Sequence, residues 1–397
     1  MSSVLPRLIL KKDKAGPFVG RHPWVFSGAI ERVEGAPVDG NAVALHATDG
    51  RFIAYGLYNA QSQIRARLYS WNETDALTDA FFEARIRAAV ALRRQLGLIT
   101  PNSACRLVFS EGDGLSGLVA DWYAGFVALQ FNALVLAKRK EAVAAALTKA
   151  VSPRGIYLRT EKGIRDLEGL EISDGPMAGE APPESLMITE NGLDYDVDIQ
   201  EGQKTGFYAD QRENRAAAAA YAKGRQCLDV CCYTGGFALN LARAGAASVT
   251  GLDSSATAIA AAQRNAERNG LSAVSFAQGD AFNALAGMRE KKETFGLMVL
   301  DPPRFVQSAG GIEQALKGYV RLNALAMGLL AEDGILVTCS CSGRVGHDEF
   351  ASVLSAAALN AGRTVRVLEK RGQPADHPIN VACPESEYLQ CVICHVE

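Results

Sequence analysis

From about residue 191 the chain alternates short apolar segments, CLDVC, SVTGLD, VSFAQGD, GLMVLD and GILVTC, with alanine-rich stretches that include the runs at 216–220 and 260–262. That alternation specifies an α/β fold with a doubly wound, mostly parallel sheet. Sheets of this kind bind ligands outside the carboxyl ends of their strands. The residues that follow each apolar segment are therefore the ones to read for chemistry.

The first segment continues as LDVCCYTGGFALNLARAGAASVTGLDSS, which reads strand, glycine turn, helix, strand, acid. A nicotinamide dinucleotide would call for G-x-G-x-x-G, with its pyrophosphate on the helix N-terminus. Here the tight pair is Gly235-Gly236, and Asp229 stands before the turn with Tyr233 in it. An acid there repels a pyrophosphate and suits a cationic ligand with no phosphate. S-adenosylmethionine, with an ammonium and a sulfonium, is such a ligand. Asp253 ends the second strand where an acid accepts bonds from ribose hydroxyls, and Asp280 follows the third where an adenine amine could be met. The alternative for all three is helix capping and turns. The fourth strand ends in LDPPRF, and two prolines force the chain out of the sheet at Asp301. Asp301 could then bond a planar base and Phe305 stack on it, although core packing is the plainer reading for one aromatic ring.

Residues 1–73 read as a β-rich domain of short apolar stretches, with Asp49-Gly50 as a hairpin turn. Residues 74–190 read as an α+β domain opened by a helix that Thr78 or Asp79 caps, with the Gly- and Pro-rich SDGPMAGEAPPES as a loop. Residues 191–397 form the parallel-sheet domain. The net charge of −3 hides an asymmetry: residues 1–72 hold nine Lys and Arg against five Asp and Glu. Lys11, Lys12, Lys14, Arg21 and His22 crowd one segment, which reads either as a solvated face or as a phosphate-binding patch.

Proline and charges interrupt the first residues, and no apolar run approaches membrane-spanning length, so a cytoplasmic chain with no membrane partner is expected. Nine scattered cysteines are expected as reduced thiols. The CxxC of Cys391 and Cys394 lies in an apparent strand, where residues three apart face opposite ways, so no metal is expected. The sequence leaves the oligomeric state open, a homo-oligomer included.

DVCCYTGGF, GLDSS, QGDAF and DPPRF, preceded by EGQKTGFYADQRENR and followed by TCSCSG, resemble the ribosomal RNA large-subunit methyltransferase I family of class I S-adenosylmethionine-dependent methyltransferases. The resemblance covers essentially the whole chain. It implies an N-terminal PUA domain that binds RNA, a central α+β domain and a Rossmann-like methyltransferase domain. It also implies ribosomal RNA as partner, 5-methylcytosine in 23S RNA as product, and Tyr208, Gln211 and Arg212 of GFYADQR folded over the cofactor.

Cytosine C5 is a poor nucleophile, and a thiolate added to C6 makes it enamine-like. VTCSCSG places a thiol for this at the end of a strand, near Asp301, which would stabilise the developing charge. Cys339 continues the apolar alternation and reads as core. Cys341, between two serines and before Gly343, is the expected nucleophile because a reactive thiol needs partial exposure. The family resemblance points the same way. Many RNA cytosine-C5 methyltransferases carry a second cysteine after the strand-four proline, where this chain has Arg304. His377 is a candidate proton acceptor by resemblance alone, and an ordinary loop histidine is the plainer reading. Two other readings stand beside this one: methylation of a base amine or ring nitrogen without a thiol adduct, and a non-catalytic RNA-binding assembly factor.

Overall fold

The computed structural model describes residues 5–202, 205–305 and 311–397. The chain forms two compact units that interleave along the sequence. One comprises residues 1–188, 197–209 and 375–386, and the other 189–196, 210–374 and 387–397.

The first unit holds two sheets. Six strands between Arg7 and Ser70 form the first, around Leu8, Leu10, Val25, Val43, Leu45 and Leu68, all buried. Ala42–His46 and Phe52–Tyr58 pair antiparallel through the expected turn, in which Gly50 has φ +85° and the Asp49 carboxylate accepts from the Arg51 amide. Left-handed backbone at that position is what glycine supplies. The helix Asp79–Gln95 follows, and the Thr78 hydroxyl accepts from the Phe81 amide. It covers a five-stranded sheet running in order Gly175–Gly179, Gly155–Arg159, Phe126–Phe131, Leu118–Tyr123, Ala104–Phe109. The stretch read as a loop thus contains a strand. Pro176 is tolerated because Gly175–Gly179 is the sheet edge, where a missing N–H faces outward.

The second unit is the parallel-sheet unit. Its strand order is Val274–Gln278, Ser248–Asp253, Gln226–Val230, Phe295–Leu300, Leu330–Ser340, Gln390–Val396, Val365–Arg371. The first five are mutually parallel, Gln390–Val396 runs antiparallel to them, and Val365–Arg371 pairs antiparallel with Gln390–Val396. Strand order reverses between Gln226–Val230 and Phe295–Leu300, which is the switch point where such sheets bind ligands. Helices Gly236–Arg243, Ala256–Arg268, Ala281–Glu290, Ile312–Leu329 and His347–Ala361 pack on the sheet around two apolar cores. No helix among the described residues is long and apolar enough to cross a membrane.

Candidate active site

Five candidate side chains lie at or next to the carboxyl ends of the five parallel strands. Asp229 is the penultimate residue of Gln226–Val230, Asp253 ends Ser248–Asp253, and Asp280 caps the helix after Val274–Gln278. Asp301 directly follows Phe295–Leu300, and Cys341 follows Leu330–Ser340. One sheet edge collects them.

The glycine turn is built from strained backbone. Cys231 and Tyr233 have φ of +64° and +49°, and Gly235 has φ +87°. Non-glycine residues with such angles persist only where their surroundings hold them, and they cluster at functional sites. Here the Asp253 carboxylate does the holding. Its Oδ2 accepts from the Tyr233 amide and its Oδ1 from the Ser255 amide, both at 2.9 Å. A side chain at Gly235 would place its Cβ 2.4 Å from Leu239 Cδ1. At Gly236 it would meet Arg215 Nε at 2.5 Å, and Arg215 is itself bound to Glu190 at 2.6 Å. The cradle admits backbone and little else.

Asp229 is wholly buried. Its Oδ2 accepts from the Ala238 amide at 2.8 Å, while Oδ1 has no hydrogen-bond partner among the described residues. Burial raises its pKa to about 7, against the lowering effect of that amide. An orphaned buried carboxylate oxygen is costly, and a bound cation would satisfy it. Asp280 is exposed and N-caps its helix through the Asn283 amide at 2.9 Å. Each of the three acids thus has a local bonding role, yet a carboxylate has about four acceptor sites. Asp253 and Asp280 retain capacity for ligand hydroxyls and amines. The four acids Asp229, Asp253, Asp280 and Asp301 all act on the Cys231 thiol, which burial, first, and then their charge push far up.

Asp301 leaves the sheet with its amide on the Val230 carbonyl at 3.2 Å, and its Oδ1 accepts from Gln211 Nε2 at 3.1 Å. Gln211 is therefore a partner of this carboxylate. Arg212 is half-buried with a guanidinium nitrogen 3.7 Å from Glu213, and Tyr208 is a half-buried member of the first unit. Phe305 is half-buried and packs against the core, with its ring 4.7 Å from that of Tyr319.

The two cysteines of TCSCSG differ sharply. Cys339 is completely buried, opposite Cys391 in the ladder, and that neighbouring thiol together with burial holds its own thiol well above the ordinary range. Cys341 is half-buried, with Sγ 3.7 Å from the Pro302 carbonyl oxygen. Ser340, between them, donates to the Tyr319 hydroxyl at 3.1 Å. Cys391 and Cys394 sit in different cores on opposite sheet faces. His377 lies in the first unit, 2% exposed, with its ring 5.2 Å from Phe109 and Nδ1 3.3 Å from Asp376. His22, Cys383 and Glu385, also there, bring ligand atoms within 4.8 Å of one another. The His22 Nδ1 accepts the Trp24 amide, so its Nε2 carries the proton given to Glu385 and is not a free ligand lone pair.

The sequence reading missed Asn214, Arg215 and Arg371. QRENR contained a signal for the first: residues three apart on a helix share a face. Nothing marked Arg371, which reaches the site from the far edge strand.

The chain matches the family described as S-adenosylmethionine-dependent methyltransferase over residues 115–383 and a PUA-like domain over residues 8–71. It is 38% identical over 396 residues to ribosomal RNA large subunit methyltransferase I of Klebsiella pneumoniae (strain 342), covering 99% of each chain. With the same enzyme of Aeromonas salmonicida (strain A449) it shares 40% over 388 residues, 97% of this chain and 98% of that one. Its fold is similar to that of a methyltransferase crystallised with S-adenosylhomocysteine, at TM-score 0.85 and 20% identity, covering 98% of this chain and 99% of that one. The orphaned Asp229 oxygen and the close-packed glycine turn beside it fit the cofactor of that family, and the chain belongs to the ribosomal RNA large subunit methyltransferase I family of class I S-adenosylmethionine-dependent methyltransferases.

Proposed function

We propose that this chain forms 5-methylcytosine in 23S ribosomal RNA through a Cys341 adduct. The observation that carries the reading is the contrast within TCSCSG: Cys339 is sealed in the core, whereas Cys341 emerges beside Pro302, one residue from Asp301. In this mechanism the Cys341 thiolate bonds to cytosine C6, and the displaced electron pair makes C5 nucleophilic. Asp301 accepts hydrogen bonds from the base and steadies the charge that develops on it. S-adenosylmethionine, when bound, supplies the methyl that C5 takes. The C5 proton then passes to solvent water, and the C5–H electron pair restores the ring double bond and expels the Cys341 thiolate. Asp229 would meet the cofactor's ammonium, Asp253 its ribose and Asp280 its adenine, with Tyr208, Gln211, Arg212, Tyr233 and Gly235 completing the cofactor-binding set.

We retain the division into domains at 1–73, 74–190 and 191–397, in which the first supplies RNA contacts. The RNA must present the cytosine unstacked, because a base inside a duplex cannot reach a thiol. The test is transfer of labelled methyl to unmodified large-subunit RNA by wild type, Cys339→Ala and Cys341→Ala, with nucleoside analysis of the product. We expect 5-methylcytidine from wild type and Cys339→Ala, and none from Cys341→Ala. A methylated amine, or full activity in both variants, overturns the adduct mechanism.

A further inference from the structure

We propose that Asn214 and Arg371 are positioning residues that fix the amide of Gln211 so that it donates to Asp301. The chain of contacts lies inside the second unit. Arg371 Nε donates to Asn214 Oδ1 at 3.1 Å, Asn214 Nδ2 donates to Gln211 Oε1 at 2.7 Å, and Gln211 Nε2 donates to Asp301 Oδ1 at 3.1 Å. Gln211 and Asn214 are 3% and 1% exposed.

What gives the chain a direction is its far end. A side-chain amide can turn either its oxygen or its nitrogen toward a neighbour, and geometry alone does not choose. A guanidinium can only donate. The Arg371 donor therefore requires the oxygen of Asn214 on its side, which sends the Asn214 nitrogen to Gln211. That in turn requires the Gln211 oxygen there and leaves its nitrogen for Asp301. The backbone adds a second constraint, since Asn214 Nδ2 also donates to the Gly372 carbonyl at 3.2 Å. Arg371 is held in turn by Glu369 at 2.8 Å, and Glu369 accepts from the Tyr221 hydroxyl at 2.7 Å.

The consequence falls on Asp301. A buried N–H aimed at a carboxylate favours the ionised form, while an amide oxygen in the same place disfavours it. The titratable groups acting electrostatically with Asp301 include Asp229, Cys231, Tyr319 and Cys339. Among them the acid Asp229 opposes ionisation. The relay supplies a fixed donor against that.

The inference rests on the role proposed above for Asp301, and its test separates the two. Asn214→Asp keeps the shape and the Arg371 contact but cannot donate to Gln211, whose amide then turns its oxygen toward Asp301. In protein carrying carboxyl-13C aspartate, with Asp301→Asn identifying the signal, the Asp301 titration midpoint should rise by about one to two pH units, the size of one lost hydrogen bond to a charged group. At saturating S-adenosylmethionine, which keeps the titration of Asp229 out of the profile, the acid limb of the methyl-transfer pH profile should move by the same amount. An unmoved midpoint overturns the relay whatever the activity. A midpoint that rises in Asn214→Asp and also in the uncharged Gln211→Leu/Asn214→Leu, where no added carboxylate can cause it, upholds the relay; that rise with an unchanged activity profile overturns the role of Asp301 in the reaction. Should Asn214→Asp fail to fold, Gln211→Leu/Asn214→Leu removes both amides without orphaning either; the midpoint should again rise, and an unmoved one overturns the relay.

Discussion

Asp229, placed at the cofactor's ammonium as proposed, would couple the site to pH. Its carboxyl titrates at about 7 in the folded chain against 3.8 for an ordinary aspartate, chiefly because burial penalises the charge. The sign follows from which state holds the proton. Between about pH 4 and 7 the unfolded chain has lost a proton that the folded chain keeps, so this group's contribution to stability is full below pH 4 and declines as pH rises to 7. A bound ammonium reverses the preference, because it favours the carboxylate. Binding of S-adenosylhomocysteine, which carries that ammonium, should therefore tighten as pH rises toward 7 and level off above it, with proton release on the acid side. Calorimetry from pH 5.5 to 8.5 in buffers of differing ionisation enthalpy measures both. Asp229→Asn should remove the pH dependence and weaken binding on the order of tenfold, the equivalent of one charge-assisted hydrogen bond. A pH-independent wild type would mean that Asp229 does not face the cation.

At the scale of the element, the glycine turn between Gln226–Val230 and Gly236–Arg243 is where sequence and backbone geometry are most tightly bound. Gly235→Ala combines a left-handed φ of +87° with a Cβ 2.4 Å from Leu239 Cδ1. Backbone strain and the collision together should cost about 1–3 kcal/mol of stability, read as a lowered melting temperature. Cofactor affinity should fall as well, since Tyr233 and the Asp253 carboxylate share the turn. Gly245→Ala is the control: it has a similar φ of +89° but a Cβ whose nearest neighbour is Lys223 Cγ at 3.8 Å, so it should lose stability and leave affinity alone. Equal affinity losses in both variants would sink the cradle argument. The turn was legible because a short strand, paired glycines and acids at strand ends form a local pattern. The edge strands Gly175–Gly179 and Val365–Arg371 were not. An edge strand is half-exposed, and VRVLEKR is mostly solvated on both faces, with Val367 and Leu368 exposed, so no apolar alternation marks it. Cys339 and Cys341 were distinguishable because strand alternation reaches one and stops before the other.

At the scale of the whole molecule, the sequence hid the interleaving of the two units. Residues 375–386 return to the first unit from within the second, where Asp376 accepts the Arg106 amide at 2.9 Å and its carbonyl accepts from buried Arg93 at 2.7 Å. Contacts across some 270 residues leave no local signature. The charge asymmetry was visible, and the structure gives it a surface. Lys11, Lys12, Lys14 and Arg21 are exposed, and none forms an ion pair among the described residues. Unpaired surface cations are free to release counterions on meeting phosphate, and each such contact steepens the salt dependence of binding by nearly one unit of log K per log salt. His22, by contrast, is taken by Glu385 and should contribute little. Replacing Lys11, Lys12 and Lys14 together by Gln should therefore lower the slope for large-subunit RNA by about two to three units, with affinity for S-adenosylhomocysteine and the melting temperature unchanged. His22→Gln should leave the slope where it was. Filter binding or fluorescence anisotropy from 50 to 300 mM salt reads the slopes. An unaltered slope in the triple variant would return these lysines to an ordinary solvated face and move the search for the RNA contact elsewhere on the chain.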